Sequence, residues 1–250
     1  MPHRDDLGAE LPATRAARVV SLVPSLTESV AATGRLVGAT DYCTHPSDLD
    51  VGRVGGSKYP HLDAVLALSP DLVLANAEEN RPEDVAVLRE HGVPVWVTYP
   101  RTVPEALASL GRMFAALGEP APAWLEAASV AWAAPPAFDP VVRAVIPVWR
   151  RPWVVVGSDT FAGDMLARLG VHNAYHDAAE RYPRPSLDEL RAMSAELVVL
   201  PDEPYAFTAT DGPESFPGVP YALVSGRHLT WYGPSLVEAP GLLSAQLRQR

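Results

Sequence analysis

The stretch Leu62-Asp63-Ala64-Val65-Leu66-Ala67-Leu68-Ser69-Pro70-Asp71-Leu72-Val73-Leu74 decides the fold, because the chain repeats it. Leu187-Asp188-Glu189-Leu190-Arg191-Ala192-Met193-Ser194-Ala195-Glu196-Leu197-Val198-Val199 aligns with it without a gap. Leu, Asp, Ala, Ser, Leu and Val recur at the same places, and Asp71 and Glu196 keep their charge. Each copy reads as a short helix running straight into a buried strand. A unit that occurs twice points to two similar lobes. The expected organisation is a loose tail over residues 1–16, an N-terminal α/β lobe over 17–102, a helical bridge over 103–140 and a C-terminal α/β lobe over 141–250.

Outward from the repeat, strand and helix signals alternate. Residues 18–23, 36–40, 72–75 and 93–98 are apolar runs that do not alternate in polarity, as suits a parallel sheet covered on both faces. Ser25 and Glu28 have the spacing of a capping box, and Gly34 and Gly92 stand where helices would end. Residues 41–60 form a long polar loop. Residues 103–117 carry Leu107, Leu110, Phe114 and Leu117 on one face of an amphipathic helix. A second helix over 123–134 is stopped by Pro135-Pro136. The alternation then restarts, with strands at 141–148, 153–156, 197–200 and 222–224 and helices at 160–169, 187–193 and 235–249. The fold class expected is therefore α/β, with two Rossmann-like lobes, each built on a parallel sheet, and a bridging helical segment between them.

Composition narrows the function. Of the 250 residues, 48% are hydrophobic and 20% charged, a globular balance. The 26 prolines are roughly double the usual share of about 5%, which excludes a fold of few long elements. The net charge of −10 and the absence of a basic run beyond Arg150-Arg151 argue against nucleic acid. Cys43 is the only cysteine, so neither an internal disulfide nor a CxxC zinc site is expected. No apolar run reaches the length of a membrane span. The first 20 residues lack an apolar h-region and a lipoprotein cysteine, and read as neither a secretory signal nor a lipobox. There is no GxGxxG, no GxxxxGK[ST], no GxSxG and no HExxH, so nucleotide, hydrolase and zinc-protease readings have no motif.

What remains is a set of polar and aromatic side chains at the ends of elements. Tyr42, Cys43 and His45 follow the second strand, Lys58 lies in the 41–60 loop, and Asn76, Glu78 and Glu79 follow the third strand. Tyr205 and Phe207 sit in a loop rich in proline and aromatics, and His228, Trp231 and Tyr232 lie near the end. Converging His, Cys, Asp, Glu or Tyr would suit a metal, and aromatic walls with a few polar groups would suit a flat ligand. The alternative is that Tyr42 and His45 bond to backbone and solvent, that Cys43 is a small buried apolar group, and that the aromatic loop packs on its own lobe. Asp63 and Asp188 each begin a short helix, where a carboxylate is favoured by unpaired N–H groups and the dipole. That role alone accounts for them, yet they also place one acid on each lobe.

Arg18-Val19-Val20-Ser21-Leu22-Val23-Pro24-Ser25-Leu26-Thr27-Glu28, Leu36-Val37-Gly38-Ala39-Thr40-Asp41-Tyr42, Arg53-Val54-Gly55-Gly56 and the Leu62–Leu74 stretch together resemble the helical-backbone (class III) periplasmic substrate-binding proteins of ABC transporters, the family that takes up cobalamin, ferric siderophores and haem. The likeness covers nearly the whole chain from residue 18. It implies two Rossmann-like lobes joined by a long helix, with a metal chelate or corrinoid held between them, and no enzyme activity. It implies no resident cofactor, a monomer, an ABC permease and ATPase as partners, and docking acids at Asp63 and Asp188. Ligand-binding positions would be Tyr42, His45, Lys58, Asn76, Glu78, Glu79, Tyr205, Phe207, His228, Trp231 and Tyr232. Ser57 and Asn76 stand where well-known cobalamin binders carry tryptophan, a departure. The resemblance implies an extracytoplasmic place, whereas the N-terminus read by itself points to the cytoplasm. On the latter reading the same lobes would serve a cytosolic metal- or cofactor-handling protein or enzyme, or would bind a bare metal ion.

Overall fold

The computed structural model describes residues 3–11 and 16–249. Contacts within it divide the chain into two units. The first comprises the chain up to Pro100 with Glu105–Glu126 and Tyr232–Pro234. The second comprises Arg101–Pro104, Ala127–Trp231 and the chain from Ser235 onward.

The first unit begins with a small antiparallel hairpin, β1 (His3–Arg4) against β2 (Glu10–Leu11). Its turn is closed by Asp5, whose Oδ1 accepts the N–H groups of Leu7 and Ala9. Asp6 accepts from the N–H of Tyr99, the hydroxyl of Ser109 and the guanidinium of Arg112, each at 2.7 Å. Residues 3–11 are therefore docked rather than a loose tail, because two carboxylates find fixed donors. The rest of the expected tail, 1–2 and 12–15, lies outside the described residues.

The sheet of this unit follows from β-branched and small apolar residues that any covered strand favours. In chain order come β3 (Val19–Ser21), α1 (Pro24–Val30), β4 (Leu36–Ala39), β5 (Gly52–Arg53), α2 (Leu62–Ala67), β6 (Leu72–Asn76), α3 (Pro82–Glu90) and β7 (Val95–Thr98). All pairings are parallel, in the order β5-β4-β3-β6-β7. β3, β6 and β7 are buried along their whole length. The order reverses between β3 and β6, and in such sheets ligands bind outside the carboxyl ends of the strands at that reversal.

Two helices follow, α4 (Val103–Ala116) and α5 (Ala123–Ala133). They are separated by Gly118, held at φ +70°, and by Pro120 and Pro122, whose rings block continuation. These match the two helices read at 103–117 and 123–134, so the single long helix implied by the resemblance does not form, and the division between the units falls inside α5, after Glu126.

The second unit contains β8 (Val142–Val145), β9 (Pro147–Trp149), β10 (Val154–Val155), α6 (Phe161–Arg168), β11 (Val171–Asn173), α7 (Leu187–Ala192), β12 (Leu197–Pro201), β13 (Tyr221–Val224), α8 (Gly226–Thr230) and α9 (Ala239–Arg248). Its main sheet is again parallel, in the order β11-β8-β12-β13, with β9 and β10 forming an antiparallel ribbon. The reversal here falls between β8 and β12. The single strand expected over 141–148 is two strands. The closing helix begins only at Ala239, after a 3-10 turn at Pro234–Val237.

One expected cap does not form. α1 starts at Pro24, so Ser25 lies inside the helix and no side chain caps it. Proline suits that first position because its missing N–H is an orphan there anyway. The chain's capping box stands instead at Ser186 and Glu189. Glu189 N–H donates to Ser186 Oγ at 3.2 Å, and Ser186 N–H donates back to Glu189 Oε2 at 2.7 Å.

The repeat is deeper in three dimensions than in the alignment. Arg18 immediately precedes β3, the central strand of its sheet, and donates from Nε and Nη2 to Leu68 O, at 3.2 and 2.7 Å, capping the end of α2. Arg143, at the same offset, donates from Nε to Met193 O at 3.4 Å at the end of α7. Asp71 Oδ1 accepts Arg18 N–H at 2.9 Å, and Glu196 Oε2 accepts Arg143 N–H at 2.8 Å. Asp71 N–H and Glu196 N–H return bonds to the carbonyls of Arg18 and Arg143. Ser69 and Ser194 both turn the chain at positive φ, 47° and 49°. Removing either acid leaves strand N–H groups without that acceptor. Asp71→Ala and Glu196→Ala should each lower unfolding free energy by about 1 kcal/mol, read from urea titrations; no shift in either would show that the clamp contributes nothing.

Candidate functional site

The carboxyl edge of the first unit's sheet is built by the turns after β3, β4, β6 and β7. β6 and β7 end side by side at Asn76 and Thr98. Asn76 is buried and uses its whole side chain on the protein. Its Oδ1 accepts the N–H groups of Glu78 and Glu79, at 2.7 and 3.1 Å. Its Nδ2 donates to Thr98 O at 3.1 Å and to Tyr232 Oη at 2.6 Å. Asn80 completes the turn, accepting Asn76 N–H at 2.8 Å and donating to Leu22 O and Ser57 O at 3.3 and 2.9 Å. Asn76 therefore holds the loop that presents Glu78 and Glu79 instead of itself facing a ligand.

Tyr232 belongs to this unit although it lies far along the chain. It is 5% exposed. A donor chain runs from Asn76 Nδ2 to Tyr232 Oη, on to Thr98 Oγ1 at 2.9 Å and to Ala75 O at 3.1 Å. Burial, with the negative charge of Glu79 added, pushes the phenol far above its ordinary range, so it stays neutral. Gly233 lets the backbone lie against α1, since a Cβ there would come within 2.9 Å of Ser29 Oγ and 3.0 Å of Ser25 O.

Cys43 is buried, with Thr27 Oγ1 and Thr40 Oγ1 at 3.0 and 3.1 Å from its sulfur. Burial raises its thiol, and Glu79 raises it further. A neutral thiol is a poor metal ligand. Among the described residues no group of three His, Cys, Asp or Glu converges to hold a metal ion. His45 is half-buried, with Nδ1 at 3.2 Å from Thr44 Oγ1. Lys58 is exposed. Tyr42 stands out, 67% exposed, its ring in reach of a Cβ on Gly56 at 3.5 Å. Tyr59, which sequence reasoning missed, is 66% exposed, and the Arg81 guanidinium lies 4.9 Å from its ring centre. The two tyrosines border one loop with flat apolar faces.

The second unit presents a comparable edge beyond β8 and β12. Trp149 ends β9, is 44% exposed and meets Tyr205 edge-on at 5.7 Å. Tyr205 Oη donates to Asp211 Oδ2 at 2.6 Å, and Arg150 pairs with Asp211 and Glu214. Phe207 is buried, parallel to Trp153 at 6.2 Å, and with Phe216 belongs to the unit's apolar core. For these two rings the packing alternative holds, because Thr208–Asp211 and a 3-10 turn at Pro213–Ser215 fold the loop back onto its own unit. Trp149 and Trp153 gave no sign in the sequence beyond being aromatic.

After β12, Asp202 Oδ1 accepts Gly226 N–H at 2.6 Å. Glu203 packs so closely against α8 that a Cβ on Gly226 would lie 2.4 Å from its Cγ. Burial and then the Asp202 charge raise the Glu203 carboxyl above its ordinary value, opposed by Arg227 and a bond from Trp231. Arg227 also lies 5.7 Å from the Trp231 ring centre. His228 is buried and commits both nitrogens, Nδ1 to Ser225 Oγ and Nε2 to Glu238 Oε1, each at 2.8 Å. It braces α8 and offers no nitrogen outward. Asp63 and Asp188 are exposed in the first turns of α2 and α7.

No family model matches the chain. It is similar to the vitamin B12-binding protein of Vibrio cholerae, 22% identical over 192 residues, covering 73% of this chain and 70% of that one. Among solved structures, the periplasmic heme-binding protein of Roseiflexus sp. RS-1 superposes with TM-score 0.77 at 20% identity, covering 93% of this chain and 100% of that one. The periplasmic vitamin B12-binding protein of Vibrio cholerae superposes with TM-score 0.73 at 18% identity, covering 94% and 97%. The resemblance drawn from the motifs is borne out by these likenesses, and the fold is that of periplasmic binding proteins.

Two outcomes test the site's supports. Asn76→Ala removes the side-chain bonds to Glu78, Glu79, Thr98 and Tyr232 from a buried position and should cost about 2–3 kcal/mol, against about 1 for Tyr232→Phe, both read by chemical denaturation. Equal costs would contradict the role given to Asn76. The bond from His228 holds the Glu238 carboxyl below its usual value. A depressed acid stabilises the fold above its unfolded value near 4.5, and that contribution is lost as pH falls through the lower folded value. Glu238→Gln should therefore lower Tm at neutral pH and flatten the fall in Tm below pH 4.5.

Proposed function

We propose that this chain is a solute-binding protein that captures a metal chelate or corrinoid for import by an ABC transporter, and that it is not an enzyme. The observation that carries the reading is a pair of parallel sheets, each with exposed aromatic faces at its carboxyl edge: Tyr42 and Tyr59 in one unit, Trp149 in the other. Flat rings with few polar groups suit a large planar ligand and offer no nucleophile–base pair. The relatives named above are vitamin B12- and heme-binding proteins, which supports the same class of solute and a place outside the cytoplasm.

The residues divide into two roles. Tyr42, Tyr59, Trp149, Tyr205 and Trp231 supply stacking surface, while Glu78, Glu79, Lys58 and His45 supply polar contacts. Asn76, Tyr232, Phe207 and His228 act by holding the turns that carry them. Asp63 and Asp188 dock a membrane permease, whose ATPase drives release. Their support is the matched setting: each lies in the first turn of a six-residue helix that ends on the same arginine clamp. No resident cofactor is needed, and the protein acts as a monomer.

The reading is tested by titrating the purified protein with vitamin B12 and with ferric chelates by calorimetry. Tyr42→Ala with Tyr59→Ala should weaken binding at least about tenfold, or 1.4 kcal/mol, with unchanged Tm. Unchanged affinity would remove these rings from the site, and turnover of any chelate would contradict the non-enzymatic reading.

A further inference from the structure

β7 lies at one end of the first unit's sheet. Val73 N–H bonds to Pro94 O and Ala77 N–H to Thr98 O, so alternate residues along β7 spend their backbone groups on β6. Those of Val95, Val97 and Tyr99 therefore point away from the sheet. An edge of this kind, built from Val95, Trp96, Val97 and Thr98 without a charge, is a template for a further strand.

Among the described residues no strand pairs with that edge. The turn of the β1–β2 hairpin occupies it instead. Asp5 Oδ2 accepts Val97 N–H at 3.2 Å, Asp6 N–H donates to Val97 O at 3.1 Å, and Asp6 Oδ2 accepts Tyr99 N–H at 2.7 Å. Arg89 Nη2 donates to Val95 O at 3.0 Å and to Asp5 Oδ2 at 3.2 Å. Two carboxylates and one N–H thus stand where the carbonyls and amide of a neighbouring strand would stand. Asp6 is fixed in turn by Ser109 and Arg112 of α4.

The cover is held by these polar bonds more than by packing. Leu11 is the only buried apolar residue of 3–11, while Leu7 is 56% exposed. Ala9, Glu10 and Leu11 stand off Arg89 and residues 92–95 across a hollow of about 330 Å³. We infer that residues 3–11 are a displaceable guard on the β7 edge, and that without them the β7 of a second copy takes their place. A second copy fits because the edge is self-complementary. In an antiparallel pair about a twofold axis at Val97, each copy's Val97 donates its N–H to the other's carbonyl and accepts in return. The hairpin then decides whether the chain is single or paired, a property independent of the solute.

The test uses the full chain carrying Asp5→Ala with Asp6→Ala. At low concentration the amides of Val97 and Tyr99 should exchange at least about tenfold faster than in the unaltered chain, with those of Val73 and Ala75 in β6 unchanged. As concentration rises, light scattering should show dimers of the variant, while the unaltered chain stays a monomer. An excess of a peptide of residues 1–16 should return the variant to monomer, whereas the same peptide with both substitutions should not. Unchanged exchange at Val97 and Tyr99 overturns the cover, and a variant that stays monomeric overturns the pairing. Dimers in both chains alike, or dimers that the peptide leaves intact, show pairing elsewhere and overturn it too. Loss of protection in β6 as well makes the hairpin part of the core and also overturns the inference.

Discussion

In each unit one arginine ties the start of the central strand to the end of a helix fifty residues on, and one acid ties the helix's exit back to that strand. Arg18 reaches Leu68 O, and Asp71 takes the Arg18 N–H; Arg143 and Glu196 do the same with Met193. These bonds set where β6 lies against β3 and β12 against β8. Those two pairs are also the places where strand order reverses. A sheet whose order reverses leaves a gap between diverging turns at its carboxyl end. The clamp at one end of the sheet thus sets the spacing of the turns at the other, where the aromatic and acidic side chains stand.

From that spacing the rest follows by chemistry of the turns. Asn76 can fold the loop after β6 because Thr98 ends the neighbouring strand beside it and Tyr232 closes over both. The cost of burying these polar groups is met by pairing them fully with one another. The exposed rings of Tyr42, Tyr59 and Trp149 stand outside this network. Arginine, nearly the only cation in the chain, holds several of these loops: Arg53 on the carbonyls of Thr40 and Cys43, and Arg150 on Asp211 and Glu214.

How far the sequence disclosed this depends on the range of each interaction. The helix-to-strand unit at 62–74 and its copy at 187–199 were legible because every determinant is local: apolar spacing, a turning serine, an acid before the strand. The partners Arg18 and Arg143 were not, since nothing local marks an arginine as a cap for a helix fifty residues away. Ser25 has the spacing of a capping box, yet Pro24 moves the helix start two residues earlier, to an N-cap at Val23, and places Ser25 inside. β5, β11 and α8 are too short to leave a periodic pattern. His228 and Asn76 count as candidate ligand contacts through their place at the ends of elements and the family resemblance. Their actual partners, Glu238, Ser225, Thr98 and Tyr232, come together only through the fold. Tyr59 and Trp149 were missed because exposure, not identity, distinguishes them from core aromatics.

The central claim is that this molecule carries an intact metal chelate or corrinoid and does nothing chemical to it. Native mass spectrometry of protein purified from its own host, without added ligand, tests this most directly. The account predicts a single noncovalent adduct with the mass of a corrinoid or another metal chelate, lost on gentle activation to leave unmodified protein. A nucleotide or a flavin adduct, or a covalent modification of the chain, would contradict it.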